Sequence, residues 1–371
     1  MRVVTGFLVL GMCMSCQNTM QYDLSSFETY RIYTGEDLGV TYSPARTAFR
    51  LWSPAADGVQ VRHYAAGIGG GPTEVHDMLP DLGGTWLLTV DGDLAGQFYT
   101  FQVRVNGDTL PETPGPYARA VGVNGNRGYI LRPGETDPPG WDQDVRPPLN
   151  RVHDIVVYEL QVRDMSIHPS SGITHRGKFL GLAEEGTRSP QGLATGLDHL
   201  VELGVTHVHI LPMFDFASID ETRLADNAYN WGYDPKNFNA PEGSFATDPY
   251  PPGVRIRELK EMIQALHAQG IRVIMDVVYN HTGVDDAGIP FLSLTAPGYY
   301  YRHTADGALS NASACGNETA SERPMMRKFI LESLEYWVRE YHLDGFRFDL
   351  MGIHDLATMQ AIEQHLHAID P

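Results

Sequence analysis

Cysteine is nearly missing from this chain. Only Cys13, Cys16 and Cys315 occur in 371 residues, and two of the three fall in the opening segment. A disulfide scaffold and a cysteine-rich metal site are both excluded. Basic residues are scarce as well: 27 Lys and Arg stand against 46 Asp and Glu, for a formal net charge of −19. Nucleic acid and anionic membranes select basic faces, so neither is expected as a partner, whereas a neutral substrate is compatible. No internal run is apolar and long enough to cross a bilayer. What remains, 42% hydrophobic and 20% charged residues, describes an ordinary globular protein of two or three domains.

The N-terminus departs from that composition. MRVVTGFLVLGMCMSC carries Arg2, runs apolar from Val3 to Met14 and ends in Ser15-Cys16. That is the pattern of an export signal over residues 1–16. Ser15-Cys16 fits a lipoprotein cleavage site, with Cys16 the acylated first residue of an exported, periplasmic or cell-surface protein. Cys13 stands where such sites carry Leu or Val, so export without lipidation stays open, as does a plain apolar N-terminus. Any membrane attachment is expected only through Cys16.

Residues 36–131 read as all-β. Short apolar and aromatic runs such as TAFRLWSP, GVQVRHY, TWLLTV and QFYTFQVRV are separated by turn residues, which predicts a β-sandwich. The proline-rich stretch 132–150 reads as a linker. From 151 to 371 strands and helices alternate: DIVVYEL, GLDHLVELG, VTHVHILP, RIRELKEMIQALHAQG, IRVIMDVVYNH, RPMMRKFILESLEYWVREYH, DGFRFDL and HDLATMQAIEQHLHAI. Apolar strands alternating with helices predict a parallel sheet with helical crossovers, in four units.

Polar residues gather where these strands end. Asp276 and Asn280-His281 close the third, Arg347 and Asp349 the fourth. On a strand, residues two apart share a face, so Arg347 and Asp349 point one way and Phe346 and Phe348 the other. A guanidinium beside a carboxylate favours the ionised form that a nucleophile needs. A (β/α)₈ barrel keeps its active site at these strand ends.

IMDVVYNH and DGFRFDLMGIHD resemble two ordered motifs of the α-amylase superfamily of glycoside hydrolases. YNWGYDP, Tyr229 to Pro235, resembles the signature of the type I pullulanases within it. The segments FRLWSP and GPYARAVGVNGNRGYI are similar to the bounds of the starch-binding modules that precede such barrels. The resemblance covers most of residues 36–371 and implies a starch-binding-like β-sandwich followed by the first half of a (β/α)₈ TIM barrel. It implies a retaining hydrolase of α-1,6 links in pullulan, starch and glycogen, with Asp349 the nucleophile and Arg347 the arginine that orients it. His281 then hydrogen-bonds the sugar, Tyr233 stacks on it, Asp276 supports the arginine, and Trp231 and Asn230 shape that wall. His354, in the closing motif, is taken as a further substrate contact. No cofactor is implied. Asn280 lies where some members hold calcium, but the carboxylates such a site needs are not evident.

Retaining hydrolysis needs two carboxyl groups about 5 Å apart, a nucleophile and a protonated acid. The family's acid is a Glu ending the fifth strand, and the chain reaches AIDP where that strand is expected. Glu332, Glu335, Glu340 and Glu363 lie within helical patterns. The expectation is therefore a chain truncated before the acid, with an open sheet edge and no glycosidase activity of its own. Two alternatives stand beside it: another debranching or branching enzyme of the superfamily, and a non-catalytic glucan-binding product. Plainer roles remain for several residues. Arg347 and Asp349 form a structural ion pair, Tyr233 and Trp231 are core aromatics, and Tyr229 and Asp234 shape their loop. His207 and His209 resemble half a metal site and are read as structural, Trp52 and Trp86 as core. Tyr299 to Tyr301 line subsites or pack the core.

Overall fold

The computed structural model describes residues 24–370, so the export segment and Cys16, with the expectations placed on them, lie outside the described residues. The first part carries β1 (Gly39–Ser43), β2 (Arg46–Trp52), β3 (Gly58–Tyr64), β4 (Glu74–Asp77), β5 (Leu79–Pro80), β6 (Thr85–Asp91), β7 (Phe98–Val105), β8 (Asp108–Thr109) and β9 (Gly128–Tyr129). These form two antiparallel sheets, β1-β2-β6-β5 and β4-β3-β7-β8, with β9 also on β7. Period two explains the layering. In β2, Thr47, Phe49 and Leu51 are buried and alternate with Arg46, Ala48 and Arg50; in β3, Val59 and Val61 alternate with Gln60 and Arg62. The inward faces meet in a core of their own, where Phe49 and Leu51 pack with Val61, Tyr99 and Phe101.

The second part carries β10 (Val157–Leu160), α1 (Val162–Ser166), α2 (Gly196–Leu203), β11 (His207–Ile210), β12 (Phe214–Phe216), β13 (Pro235–Pro241), α3 (Pro252–Ala268), β14 (Arg272–Val277), α4 (Pro324–Tyr341), β15 (Gly345–Phe348) and α5 (Leu356–Ile369). The parallel sheet runs β10-β11-β14-β15 in chain order. This is the strand-helix alternation of half a (β/α)₈ barrel. Central strands β11 and β14 are buried, with Val208, Ile210, Val273, Met275 and Val277 fully covered. Helices α3 and α4 cover them with Ile256, Leu259, Ile263, Phe329, Ile330 and Trp337. The antiparallel pair β12–β13 is an excursion between β11 and α3 that the sequence reading did not resolve.

The β-sandwich docks against the half barrel through aromatic rings and a polar seam. Trp52 is buried, its ring edge-on to Tyr299 at 4.6 Å. Tyr299, Tyr300 and Tyr301 are all buried, so they pack the core rather than line subsites. At the seam, Asn237 Nδ2 donates to Gly125 O at 2.9 Å. Gly125 has φ +66, and a Cβ there would lie 2.3 Å from Asp215 Oδ2, so only glycine fits.

The proline-rich segment 132–150 crosses between the two parts as a packed strap. That corrects its reading as a mere linker. Trp141 stacks on His342 at 4.2 Å, and Arg272 Nε donates to Pro147 O at 2.6 Å. Proline composition marked the absence of helix and strand, but it says nothing about packing. Asp144 of the strap accepts from His267 Nδ1 at 2.9 Å, and His267 Nε2 donates to Asp344 at 3.0 Å. Burial works against the charged ring, yet the two flanking carboxylates outweigh it and His267 is pushed up to about 9.

A histidine raised above its unfolded value stabilises the fold fully below the lower value and loses that contribution as pH rises through the upper one. The unfolding midpoint is therefore expected to fall between about pH 6.5 and about pH 9, by the equivalent of at most about 3 kcal/mol. Scanning calorimetry across that range, with His267→Gln flattening the profile, checks this.

Candidate active site

A cleft of about 810 Å³ opens at the carboxyl ends of the parallel strands. Its walls include Leu160 and Gln161 from the end of β10, Tyr229, Trp231 and Tyr233 from the loop before β13, and His281 after β14. Asp349 and Leu350, just past β15, line it as well.

Period two on β15 delivers Arg347 and Asp349 to this side together, while Phe346 and Phe348 pack toward the main core. Arg347 Nη1 donates to Asp349 Oδ1 at 3.0 Å and to both oxygens of Asp276 at 3.1 Å. Such charge-assisted bonds orient both carboxylates at once. Asp276 is fully buried; its Oδ2 also accepts from Tyr233 Oη at 2.9 Å and from His209 Nε2 at 3.0 Å. Burial and the Asp276 charge hold the Tyr233 phenol above its ordinary range, so its hydroxyl stays a donor. The ring of Tyr233 still lines the cleft, half-buried, with room for a sugar against it.

His281 is buried and lowered by burial, so its ring is neutral. Nε2 donates to Tyr233 O at 2.8 Å, and Nδ1 accepts from Asn280 Nδ2 at 2.9 Å. Both ring nitrogens are thus engaged by protein, and the ring meets the cleft with its remaining edge. The loop carrying Trp231 is built by its own polar groups. Asn230 Nδ2 donates to Asp234 at 2.7 Å, and Asn230 Oδ1 accepts from Gly232 N at 2.8 Å. Asn230 therefore shapes the wall from behind. Trp231 is 60% exposed in the cleft, and Tyr229 lines it while donating to Asp164 at 2.9 Å.

The reading of His354 needs correction. It is buried against Phe348, ring to ring at 6.2 Å, outside the cleft lining. Burial and then Arg302 push it down to about 4. A neutral ring under the β15 turn is packing, and the closing motif alone did not separate that from substrate contact. His209, read as structural, joins Asp276; Glu159 and the exposed Cys315 line the cleft and were not foreseen.

Among the described residues one acidic trio is close enough to share a cation: Asp215, Glu221 and Glu242. Its six oxygens already accept from Arg255, Asn237 and the backbone N–H groups of Asn124, Phe216, Gly243 and Ser244. Arg255 is the buried counter-charge, so the trio is a filled ionic seam rather than a metal cradle.

With this geometry in hand, the comparisons with known proteins are specific. Residues 37–118 match the carbohydrate-binding module 48 (isoamylase N-terminal domain), and residues 178–288 match the α-amylase catalytic domain. A pullulanase of Bacillus subtilis (strain 168) is 44% identical over 335 residues, 90% of this chain and 45% of that protein. The chloroplastic pullulanase 1 of Arabidopsis thaliana is 33% identical over 85% of this chain and 36% of its own length. A crystal structure of the Paenibacillus barengoltzii pullulanase with maltohexaose and α-cyclodextrin is 53% identical over 94% of this chain and 53% of that one, with a TM-score of 0.90. The Anoxybacillus sp. LM18-11 pullulanase with maltotetraose is 41% identical at a TM-score of 0.86. This chain spans about half the length of such relatives.

The wall depends on Gly232, whose φ is +94 and whose added Cβ would sit 3.0 Å from Pro212. Gly232→Ala is expected to cost about 1–3 kcal/mol in urea unfolding. Gly192→Ala, at φ +80 but with open space around it, controls for backbone strain alone and is expected to cost less.

Proposed function

We propose that this chain, a homologue of the pullulanases, supplies the glucan-binding module and the nucleophile half of a retaining glycoside hydrolase acting on α-1,6 branch links in pullulan, starch and glycogen. One observation carries the reading: Asp349, held by Arg347, lines the same cleft as the aromatic rings of Tyr233 and Trp231. In this reading a pyranose rests on the aromatic wall and Asp349 attacks its anomeric carbon, forming the glycosyl-enzyme while the leaving oxygen departs with the bonding pair. That oxygen needs a proton from an acid. Glu332, Glu335 and Glu340 lie in α4 and Glu363 in α5, none of them at the end of a strand, and Glu159, which lines the cleft from β10, is engaged by His209. These residues by themselves are therefore expected to make the nucleophilic step and not to turn over pullulan.

An activated donor separates the two halves of the chemistry. In α-maltosyl fluoride the C1–F bond breaks as the C1–O bond to Asp349 forms, and fluoride leaves without protonation. The purified chain is expected to release a burst approaching one equivalent of fluoride and to gain one maltosyl mass on Asp349. Asp349→Asn should abolish both. Maltotriose binding without any burst would instead favour the non-catalytic glucan-binding reading, which the carbohydrate-binding module match supports.

The reading extends to export through residues 1–16, with Cys16 acylated. Palmitate labelling in a bacterial host, lost in Cys16→Ala, is the expected result; labelling that survives the substitution would refute it.

A further inference from the structure

One residue from each of three parallel strands, and two at the end of the fourth, form a belt of alternating charge across the floor of the cleft. Glu159 on β10 lies 3.2 Å from His209 Nδ1 on β11. His209 Nε2 lies 3.0 Å from Asp276 Oδ2 on β14. Asp276 meets Arg347 on β15 at 3.1 Å, and Arg347 meets Asp349 at 3.0 Å. Both ring nitrogens of His209 face carboxylate oxygens, and only an imidazolium donates from both. Asp276 is thus held between the His209 ring on one side and the Arg347 guanidinium on the other.

We propose that His209 is a positioning residue for Asp349. Its ring, anchored by Glu159, fixes the Asp276 carboxylate, which in turn sets the plane of the Arg347 guanidinium and so the nucleophile. The effect on Asp349 rests on the glycosidase reading above; the hydrogen-bond geometry of the belt does not. His209 is buried, 8% exposed, and lies outside the cleft lining, so it acts on substrate only through its neighbours. The charged and titratable groups around it are Glu159 on β10, Asp276 on β14 with its donors Tyr233 and Arg347, and Asp349 beyond. Loss of the His209 ring leaves Glu159 and Asp276 each without that partner, and Asp276 is freer to turn. Displacing a reacting group by about 1 Å slows chemistry roughly 10²-fold.

Three variants of the same chain test this. His209→Leu removes both donors, His209→Gln keeps one N–H for Asp276, and Glu159→Gln removes the outer anchor. With α-maltosyl fluoride, His209→Leu is expected to slow the burst about 10²-fold while maltotriose affinity is unchanged, and His209→Gln to recover at least about tenfold of that loss. A His209→Leu burst at the unsubstituted rate, or loss of rate and affinity together with no recovery in His209→Gln, overturns the proposal. If the unsubstituted chain gives no burst, the glycosidase reading falls, and nitrogen-15 NMR of the imidazole decides the belt. An Nε2–H hydrogen-bonded to carboxylate, with an Nδ1 resonance displaced in Glu159→Gln, supports it. Ring nitrogen resonances that Glu159→Gln leaves unmoved overturn it.

Discussion

Asp276 is the constraint around which the half barrel is organised. A carboxylate with no exposed surface carries a desolvation penalty of several kcal/mol that only close, well-aimed donors offset. Here those donors are a guanidinium, a phenol and an imidazole, drawn from β15, the YNWGYDP loop and β11. Removing one partner of a buried charge typically costs about 3–5 kcal/mol, so each contributing segment is held in place by the same oxygen atoms. Register follows from this. Asp276 pairs with Arg347 across β14 and β15, and a slip by one residue would turn the carboxylate into the helix layer. Asp349 inherits its position from that pairing, two residues along the same face.

The two ends of the parallel strands divide the work. At the carboxyl ends polar residues are aimed into a cleft and their apolar neighbours stay partly open, with Trp231 60% and Leu350 39% exposed. At the amino ends, where Asp344 precedes β15 and His267 ends α3, polar residues are aimed at one another. His267 sits between Asp144 and Asp344, and His342 donates to Asp144 at 2.8 Å. Both ends use a histidine between two carboxylates. At the amino end the group ties the strap to the sheet, which is a stability role; at the carboxyl end Asp276 and Arg347 link it to Asp349 on the cleft wall.

Legibility in the sequence tracked how local each interaction is. Arg347 and Asp349 were readable because strand period two places them together without knowledge of any other element. The β-sandwich was readable for the same reason. His209 was not, because its function depends on the register of β10, β11 and β14, which no single segment encodes. Tyr233 was half-readable: its ring was foreseen, but its hydroxyl bond to Asp276 crosses 43 positions of chain. His354 was misplaced because a motif gives position and not direction, and the turn after β15 buries the ring against Phe348. The strap at 132–150 was missed because proline-rich composition is silent about Trp141 finding His342.

That turn carries the remaining physical cost of the site. Leu350, directly after Asp349, adopts the left-handed region at φ 44 and ψ 44, a conformation that costs a residue with a Cβ roughly 1 kcal/mol or more. Glycine would take it without strain. Yet the turn begins with Asp349 N bonded to Val277 O at 3.0 Å, which extends the ladder to Asp349 itself. The reversal must therefore come immediately afterwards. A glycine there would relax the chain and loosen the one backbone bond that seats Asp349, whereas leucine narrows the choices of the turn and adds an apolar surface to the cleft wall. Strain at a position adjoining the Asp349 carboxylate is tolerated because the Arg347–Asp276 pairing beneath it already dictates where that carboxylate must be.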